Sequence, residues 1–197
     1  TRADHTPDQC IPLDAYYNAA LDDNFHLGGL EGNDLASFPK GTVNLAGVTF
    51  DVRGLIHLNG QQIETLSSID YPQKVTNIII GRKAEHLHFL HGAGWPSDEG
   101  QTIAKWTIYY DDGTENVIRV HYGKDVADWW TAPDAPSLSG SQAAWEGENA
   151  ATRESSMQLR LFKKAWNNSH PEKVIKAIDY TSSMKDSSPF MLAITAD

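Results

Sequence analysis

Hydrophobic and polar residues alternate along several segments of the chain, most clearly between residues 75 and 123. Segment 102–110 places its large apolar side chains on one face, at Ala104, Trp106, Ile108 and Tyr110. Asp112-Gly113 follows, a dipeptide that favours a tight hairpin turn with both residues at positive φ. Alternation then resumes through 115–122. This pattern predicts an antiparallel sheet with one face exposed to water.

Strand patterns also occur outside this segment, and no stretch has a sustained helical period. The alternation of apolar and polar residues begins at Val48. In the later predicted strand 157–166, Phe162 breaks this alternation. Strands are predicted over 48–58, 75–81, 84–91, 102–110, 115–122, 143–147, 157–166, 174–182 and 189–197. About nine strands with scarcely a helix predict an all-β fold, an antiparallel β-sandwich or jelly roll.

The domain organisation follows from length and from the polar N-terminal segment. Residues 1–12 are polar, contain Pro7 and Pro12, and are predicted to be a tether. Residues 13–197 are predicted to form a single β-sandwich domain, since sandwiches often reach this length as one unit. The start, TRADHTPDQC, has no signal-peptide pattern, so we expect a mature terminus or a cut from a longer protein.

Charge and cysteine content narrow the function classes. The formal net charge is −10 and no Lys/Arg cluster is dense. Binding to nucleic acid or to an anionic membrane usually needs a basic patch, so we expect neither partner. No apolar run approaches the roughly 20 residues that span a bilayer. Cys10 is the one cysteine, which excludes an internal disulfide and a cysteine-based zinc cluster.

Several segments together resemble one group of bacterial domains. They are GTVNLAGVTFDVRGLIHL, NIIIGRKAEHLHFLHGAGW, IAKWTIYYDDGTENVIRVHYGKDVADWW and QLRLFKKAWNNSHPEKVIKAIDYTS. The group is related in fold to galactose-binding-like β-sandwiches, a superfamily that includes many carbohydrate-binding modules attached to glycoside hydrolases. Members also bind lipid headgroups, peptides and nucleic acid.

The resemblance, which covers roughly residues 13–197, implies further properties of the chain. It implies a polysaccharide or oligosaccharide ligand, a neutral glycan bound on loops at one rim or on a concave sheet face. It also implies a structural calcium ion and a place within a larger secreted or periplasmic protein, beside other domains.

Loop tryptophans are the residues best suited to a sugar ligand. Trp129 and Trp130 follow a predicted strand, and Trp95 lies in the loop GAGWPSDEG. Aromatic faces stack on the C–H faces of pyranose rings. The alternative is that one tryptophan of the pair plugs the end of the sandwich. The other tryptophans fall in strand patterns and are predicted to be core: Trp106, Trp145 and Trp166.

Polar partners for the sugar hydroxyls are expected near these rings. Asp128 precedes the tryptophan pair, and Asn149 and Arg153 lie in the predicted loop GENAATRES. An arginine beside an amide is suited to reading hydroxyls or a carboxylate. Equally, Arg153 can tie its loop to Glu146 or Glu148.

A metal site is the second candidate. His86 and His88 would point to one face of a strand about 7 Å apart, a spacing that metal-binding pairs use. With acidic partners, such a pair could form a metalloenzyme centre of cupin type. The alternative is a set of half-exposed strand histidines. Asp22 and Asp23, next to a Gly-rich stretch, are candidate ligands for calcium.

The function expected from the sequence is non-catalytic glycan recognition. No pair of carboxylates stands out for glycoside hydrolysis, because most acids lie in turns where local hydrogen bonds explain them. Two alternatives stay open: a small glycan-active enzyme, either metal-dependent or carboxylate-based, and a docking or structural module.

Overall fold

The computed structural model describes residues 5–24 and 31–197, which form mainly β-strands. In chain order, the elements are β1 (Gly41–Leu45), β2 (Val48–Val52), β3 (Ile56–His57), α1 (Gln61–Leu66), β4 (Lys74–Arg82), β5 (His86–Gly94), β6 (Thr102–Tyr110), β7 (Glu115–His121), β8 (Trp130–Thr131), β9 (Gln142–Gly147), α2 (Ala150–Ser155), β10 (Gln158–Asn167), β11 (Ile175–Ser182) and β12 (Ser188–Ala196).

These strands form two large antiparallel sheets and a hairpin. The central sheet has the order β3-β12-β5-β10-β8, and β9 also pairs with β10. The outer sheet has the order β4-β11-β6-β7, and β1 pairs with β2 in the hairpin. The predicted all-β antiparallel sandwich is confirmed at this level. No helix among the described residues is long and apolar enough to cross a membrane.

Aromatic rings fill the space between the central and outer sheets. Phe89 of β5 stacks on Trp106 of β6 with ring centroids 3.9 Å apart. Tyr180 of β11 stacks on the same indole at 5.6 Å. Alternate residues of β6 point inward, which places Ile108 in this core and leaves Lys105 exposed. The predicted period of two therefore determines which face of the outer sheet meets water.

A second apolar layer covers the other face of the central sheet. Phe50 and Val52 of β2 are fully buried there, beside Leu90 of β5 and Phe190 of β12. Strands β5 and β12 are consequently buried on both faces. This explains why SPFMLAITA shows no alternation of apolar and polar residues, a pattern typical of strands inside a core, whereas HLHFLHGAG combines apolar residues with three histidines.

One local prediction is corrected by the structure and another is confirmed. The hairpin between β6 and β7 has four connecting residues rather than two, and only Gly113 has a positive φ, at 84°. The Asp112 carboxylate instead accepts bonds from the backbone and hydroxyl of Thr114 and pairs with Lys173 at 2.7 Å. These side-chain contacts stabilise a longer loop. The predicted register break is confirmed as a bulge between Leu161 and Phe162.

The predicted tether of residues 1–12 is shorter than the sequence indicated. Residues 1–4 lie outside the described residues, but Cys10 and Ile11 belong to the packed fold. Cys10 is fully buried and bridges to Thr195 of β12. The Ile11 N–H donates to the carbonyl of Ile194 at 2.9 Å. Two apolar side chains in a polar segment are enough to anchor it, because their burial removes apolar surface from water.

Candidate functional site

The carboxylate of Asp128 organises the end of the central sheet where β5 stops. It accepts a hydrogen bond from the backbone N–H of Trp130 at 3.1 Å, and the backbone N–H groups of Trp95 and Trp129 also favour its charged form. Burial raises the pKa of Asp128 to about 7, although these three donors oppose the shift. The backbones of all three sequence-predicted tryptophans thus act on one carboxylate, and that of Trp130 does so through a direct hydrogen bond.

Trp95 adopts a backbone conformation that bulky residues rarely take. Its φ is 60°, in the left-handed region. Its N–H favours the charged form of Asp128, and its carbonyl accepts a bond from the hydroxyl of Ser187 at 2.8 Å. The side chain is half-buried against the apolar layer that covers the central sheet. Strain of this kind persists only where surrounding contacts enforce it and often accompanies function.

Trp130 is the second half-buried ring. Its indole N–H donates to the side-chain oxygen of Asn33 at 2.9 Å. The amide of Asn149 donates to the same oxygen at 3.3 Å and to the carbonyl of Asp34 at 3.1 Å. Asn33 thus links Trp130 to a buried polar network, which determines the orientation of the indole ring.

The structure places Trp129 away from solvent. Its side chain is 2% exposed, and its ring meets Phe190 edge-to-face at 6.0 Å. Its N–H donates to Ala93 of β5 and its carbonyl accepts from Arg160 of β10, so its backbone lies between two strands of the central sheet. Stacking of Trp129 on a sugar is not possible in this arrangement. Of the two alternatives for the tryptophan pair, Trp129 follows the one that plugs the sandwich.

The predicted loop around Asn149 and Arg153 is a short helix. Asn149 is the N-cap of α2, and its side chain and Thr152 form a reciprocal capping box. Asn149 is 4% exposed, so its amide supports Asn33 and cannot reach a ligand directly. Arg153 is exposed and pairs with Glu148 at 3.3 Å, the structural alternative foreseen for it. The Asn-x-x-Thr spacing was the signal for the helix.

The two candidate metal-binding histidines are brought together with a residue that sequence reasoning missed. His86 Nδ1 lies 3.1 Å and His88 Nε2 lies 3.3 Å from Oδ1 of Asp197. One ligand atom from each of the three residues lies within 4.8 Å of the others. Burial lowers the pKa of His88, and Asp197 acts in the opposite direction. We call these three residues the histidine site.

Sequence spacing alone could not assign Asp197 to the histidine site, since it lies 109 positions after His88. Strand β12 runs antiparallel to β5, with Thr195 opposite His88 and Ala196 opposite Leu87. The next residue, Asp197, therefore comes beside His86. The sequence could have indicated this neighbour only through a prediction that β12 pairs with β5.

The acids proposed for calcium have local partners instead. Asp22 lies 3.6 Å from Lys40, and both side chains are exposed. A carboxylate oxygen of Asp23 accepts the backbone N–H of Ala20 at 2.7 Å. Within residues 5–24 and 31–197, no third acid joins this pair in a metal-binding group. Calcium binding here stays a prediction.

No protein-family model matches the chain, and no curated protein matches its sequence. Trp95, Asp128 and Trp130 together are called the tryptophan site; it and the histidine site are the two candidate functional sites among the described residues.

Proposed function

We propose that this protein is a non-catalytic carbohydrate-binding module that recognises a neutral glycan at the tryptophan site. One observation carries the proposal: the Asp128 carboxylate accepts the backbone N–H of one half-buried tryptophan, Trp130, and is favoured in its charged form by the backbone N–H of another, Trp95. Both residues lie at one end of the central sheet, Trp95 directly after β5 and Trp130 in the short strand β8.

Rigid aromatic rings bind sugars at low entropic cost. Trp130 is restrained through its indole N–H to Asn33, and the backbone of Trp95 is restrained through Asp128 and Ser187. A ring that is already oriented loses little rotamer freedom when a pyranose stacks on it. The hydrogen bond from the Trp130 N–H favours a positioning role for the Asp128 carboxylate and so supports binding over catalysis.

The net charge of the chain and its resemblance to galactose-binding-like domains support further parts of the proposal. A net charge of −10 suits a neutral ligand better than an acidic polysaccharide. The resemblance to galactose-binding-like domains, together with the antiparallel sandwich, supports a galactose-binding-like fold. By the same resemblance, we propose that the chain acts in a larger secreted or periplasmic protein.

Affinity electrophoresis through gels that contain neutral or acidic polysaccharides tests the proposal. We expect one neutral glycan to retard the protein, and Trp130→Ala or Trp95→Ala to weaken retardation at least tenfold. Trp166→Ala is the matched control: Trp166 is also half-buried, but it pairs opposite Leu87 near the start of β5. Its retardation should match that of the wild type.

Three other results would contradict the proposal. Equal loss of retardation in Trp166→Ala would show that the tryptophan site is not specific. Retardation by no glycan would favour a docking or structural module. Release of soluble sugar from the retarding glycan would identify an enzyme, and Asp128, with its raised pKa, would then be the first residue to substitute.

A further inference from the structure

We propose that His86, His88 and Asp197 bind one divalent transition-metal ion. The site is separate from the tryptophan site, because the two lie at opposite ends of β5. At about 3.3 Å per residue, the seven positions from His88 to Trp95 span roughly 23 Å. Binding of the ion is therefore independent of the proposed glycan function, and either can fail without the other.

The distances from the Asp197 carboxylate to the two histidine nitrogens fit a shared ion. Two atoms bonded to one metal at about 2.1 Å lie roughly 3.0 Å apart at a right angle and roughly 3.4 Å apart at the tetrahedral angle. Oδ1 of Asp197 lies 3.1 Å from His86 Nδ1 and 3.3 Å from His88 Nε2. Both separations match neighbouring positions in a tetrahedral or octahedral coordination sphere.

The backbone holds the three residues in place before any ion arrives. His86 and His88 lie two positions apart on β5, so their side chains emerge on the same face. The His86 N–H donates to the carbonyl of Asp197 at 2.9 Å, and the Asp197 N–H donates back to His86 at 3.2 Å. His88 is paired on both sides, with Thr195 of β12 and Ala165 of β10. Binding of the ion therefore requires little further ordering of the backbone at these three residues.

The ligand set selects the class of ion. Two imidazoles and one carboxylate suit zinc, cobalt, nickel, copper or iron, whereas calcium and magnesium prefer oxygen ligands. The side chain of His88 is 11% exposed, but those of His86 and Asp197 are 42% and 49% exposed. The solvent side of the site is thus open, and water can complete the coordination sphere. Lys163 is the nearby charge that opposes a cation.

Calorimetric titration of tag-free protein with zinc chloride, and then with cobalt chloride, tests the inference. We expect one ion per chain and, with cobalt, visible absorption bands of an ion bound by nitrogen and oxygen. His86→Ala and Asp197→Asn change exposed side chains and should weaken binding at least tenfold. His170→Ala is the matched control, since His170 is an exposed histidine 3.6 Å from Glu172; its affinity should change less than twofold.

His88→Gln should also abolish binding, and far-ultraviolet circular dichroism checks that this less exposed variant folds. Lys163→Gln should strengthen binding several-fold, because it removes a repelling charge. Absence of heat and of cobalt bands in the wild type would overturn the inference, as would unchanged affinity in His86→Ala and Asp197→Asn. A chelator should leave glycan retardation unaffected, which keeps this result distinguishable from the proposed function.

Discussion

The ring of Phe89 on β5 lies flat against the indole of Trp106 on β6, with centroids 3.9 Å apart and planes 10° apart. Both side chains are fully buried. β5 is in the central sheet and β6 in the outer sheet, so this stack joins the two layers of the sandwich. Tyr180 extends the stack on the indole. Ring stacks of this kind add to the stabilisation from buried area.

Truncation of Phe89 should therefore destabilise the whole fold. We expect Phe89→Ala to lower the free energy of unfolding by about 3–5 kcal/mol, because it leaves a cavity between the sheets. Trp166→Ala removes a larger but half-buried ring from β10 and should cost less than about 2 kcal/mol. Urea denaturation measures both values. A similar cost for the two variants would show that the stack is not the main contact between the layers.

Acid should destabilise the protein through its buried histidines. His57 stacks on Tyr71 at 4.0 Å, and burial lowers the pKa of His57 to about 3. The unfolded chain takes up this proton near pH 6.5 but the folded chain does not. The stabilisation that comes from neutral, buried His57 is therefore fully present above pH 6.5. As the pH drops from there towards 3, the free energy of unfolding falls by about 1.4 kcal/mol per pH unit.

Denaturation of His57→Phe at several pH values checks this account. The variant should show a shallower decrease in the free energy of unfolding between pH 6 and pH 4. His170→Phe, at an exposed position, should keep the slope of the wild type. If the slope of His57→Phe also stays unchanged, protonation of His57 is not the cause. His91, whose pKa burial also lowers to about 3, should account for part of the remaining slope.

Asp128 should have the opposite dependence on pH. Burial raises the pKa of Asp128 to about 7, so between pH 4 and pH 7 the folded chain holds a proton that the unfolded chain has lost. Its contribution to stability is complete below pH 4 and decreases by up to about 1.4 kcal/mol per pH unit until pH 7. Asp128→Asn cannot ionise, so its stability relative to the wild type should increase over this range. A constant difference between the two proteins would contradict the raised pKa.

The ion pair of Asp125 and Lys164 should hold the segment after β7 on the central sheet. Its atoms are 2.7 Å apart, and the Asp125 side chain is 2% exposed. Burial acts to raise the pKa of Asp125, but bonds from Lys164 and His121 keep it below its usual value. Asp125→Ala should cost about 3 kcal/mol, because it removes the buried carboxylate of the pair and leaves the half-buried Lys164 ammonium without its charged partner.

A double-mutant cycle isolates this interaction. Asp125→Ala combined with Lys164→Met should destabilise the protein by less than the sum of the two single changes, with a coupling of about 1–3 kcal/mol. Urea denaturation of the four proteins gives the coupling. Additive costs would mean that the two charges contribute separately, and that other contacts hold the segment.

The sequence predicted the strands well because their signal is local. A period of two, as in 102–110, reports the faces of a sheet directly, and Asp112-Gly113 marks a turn by composition. It predicted the turn geometry less well, since the loop depends on Lys173, which is distant in the chain. The helix α2 was missed because six residues give no periodic pattern, although its capping box was present.

The candidate site residues show the same difference between local and long-range information. Residue type and spacing alone selected Trp95, Trp130, His86 and His88, because side-chain chemistry and alternation along one strand are local properties. Only tertiary structure decided that Trp129 is buried and that Asp197 stands beside the histidines. Burial and proximity depend on which strands pair and which faces are covered, and those contacts join residues far apart in the sequence.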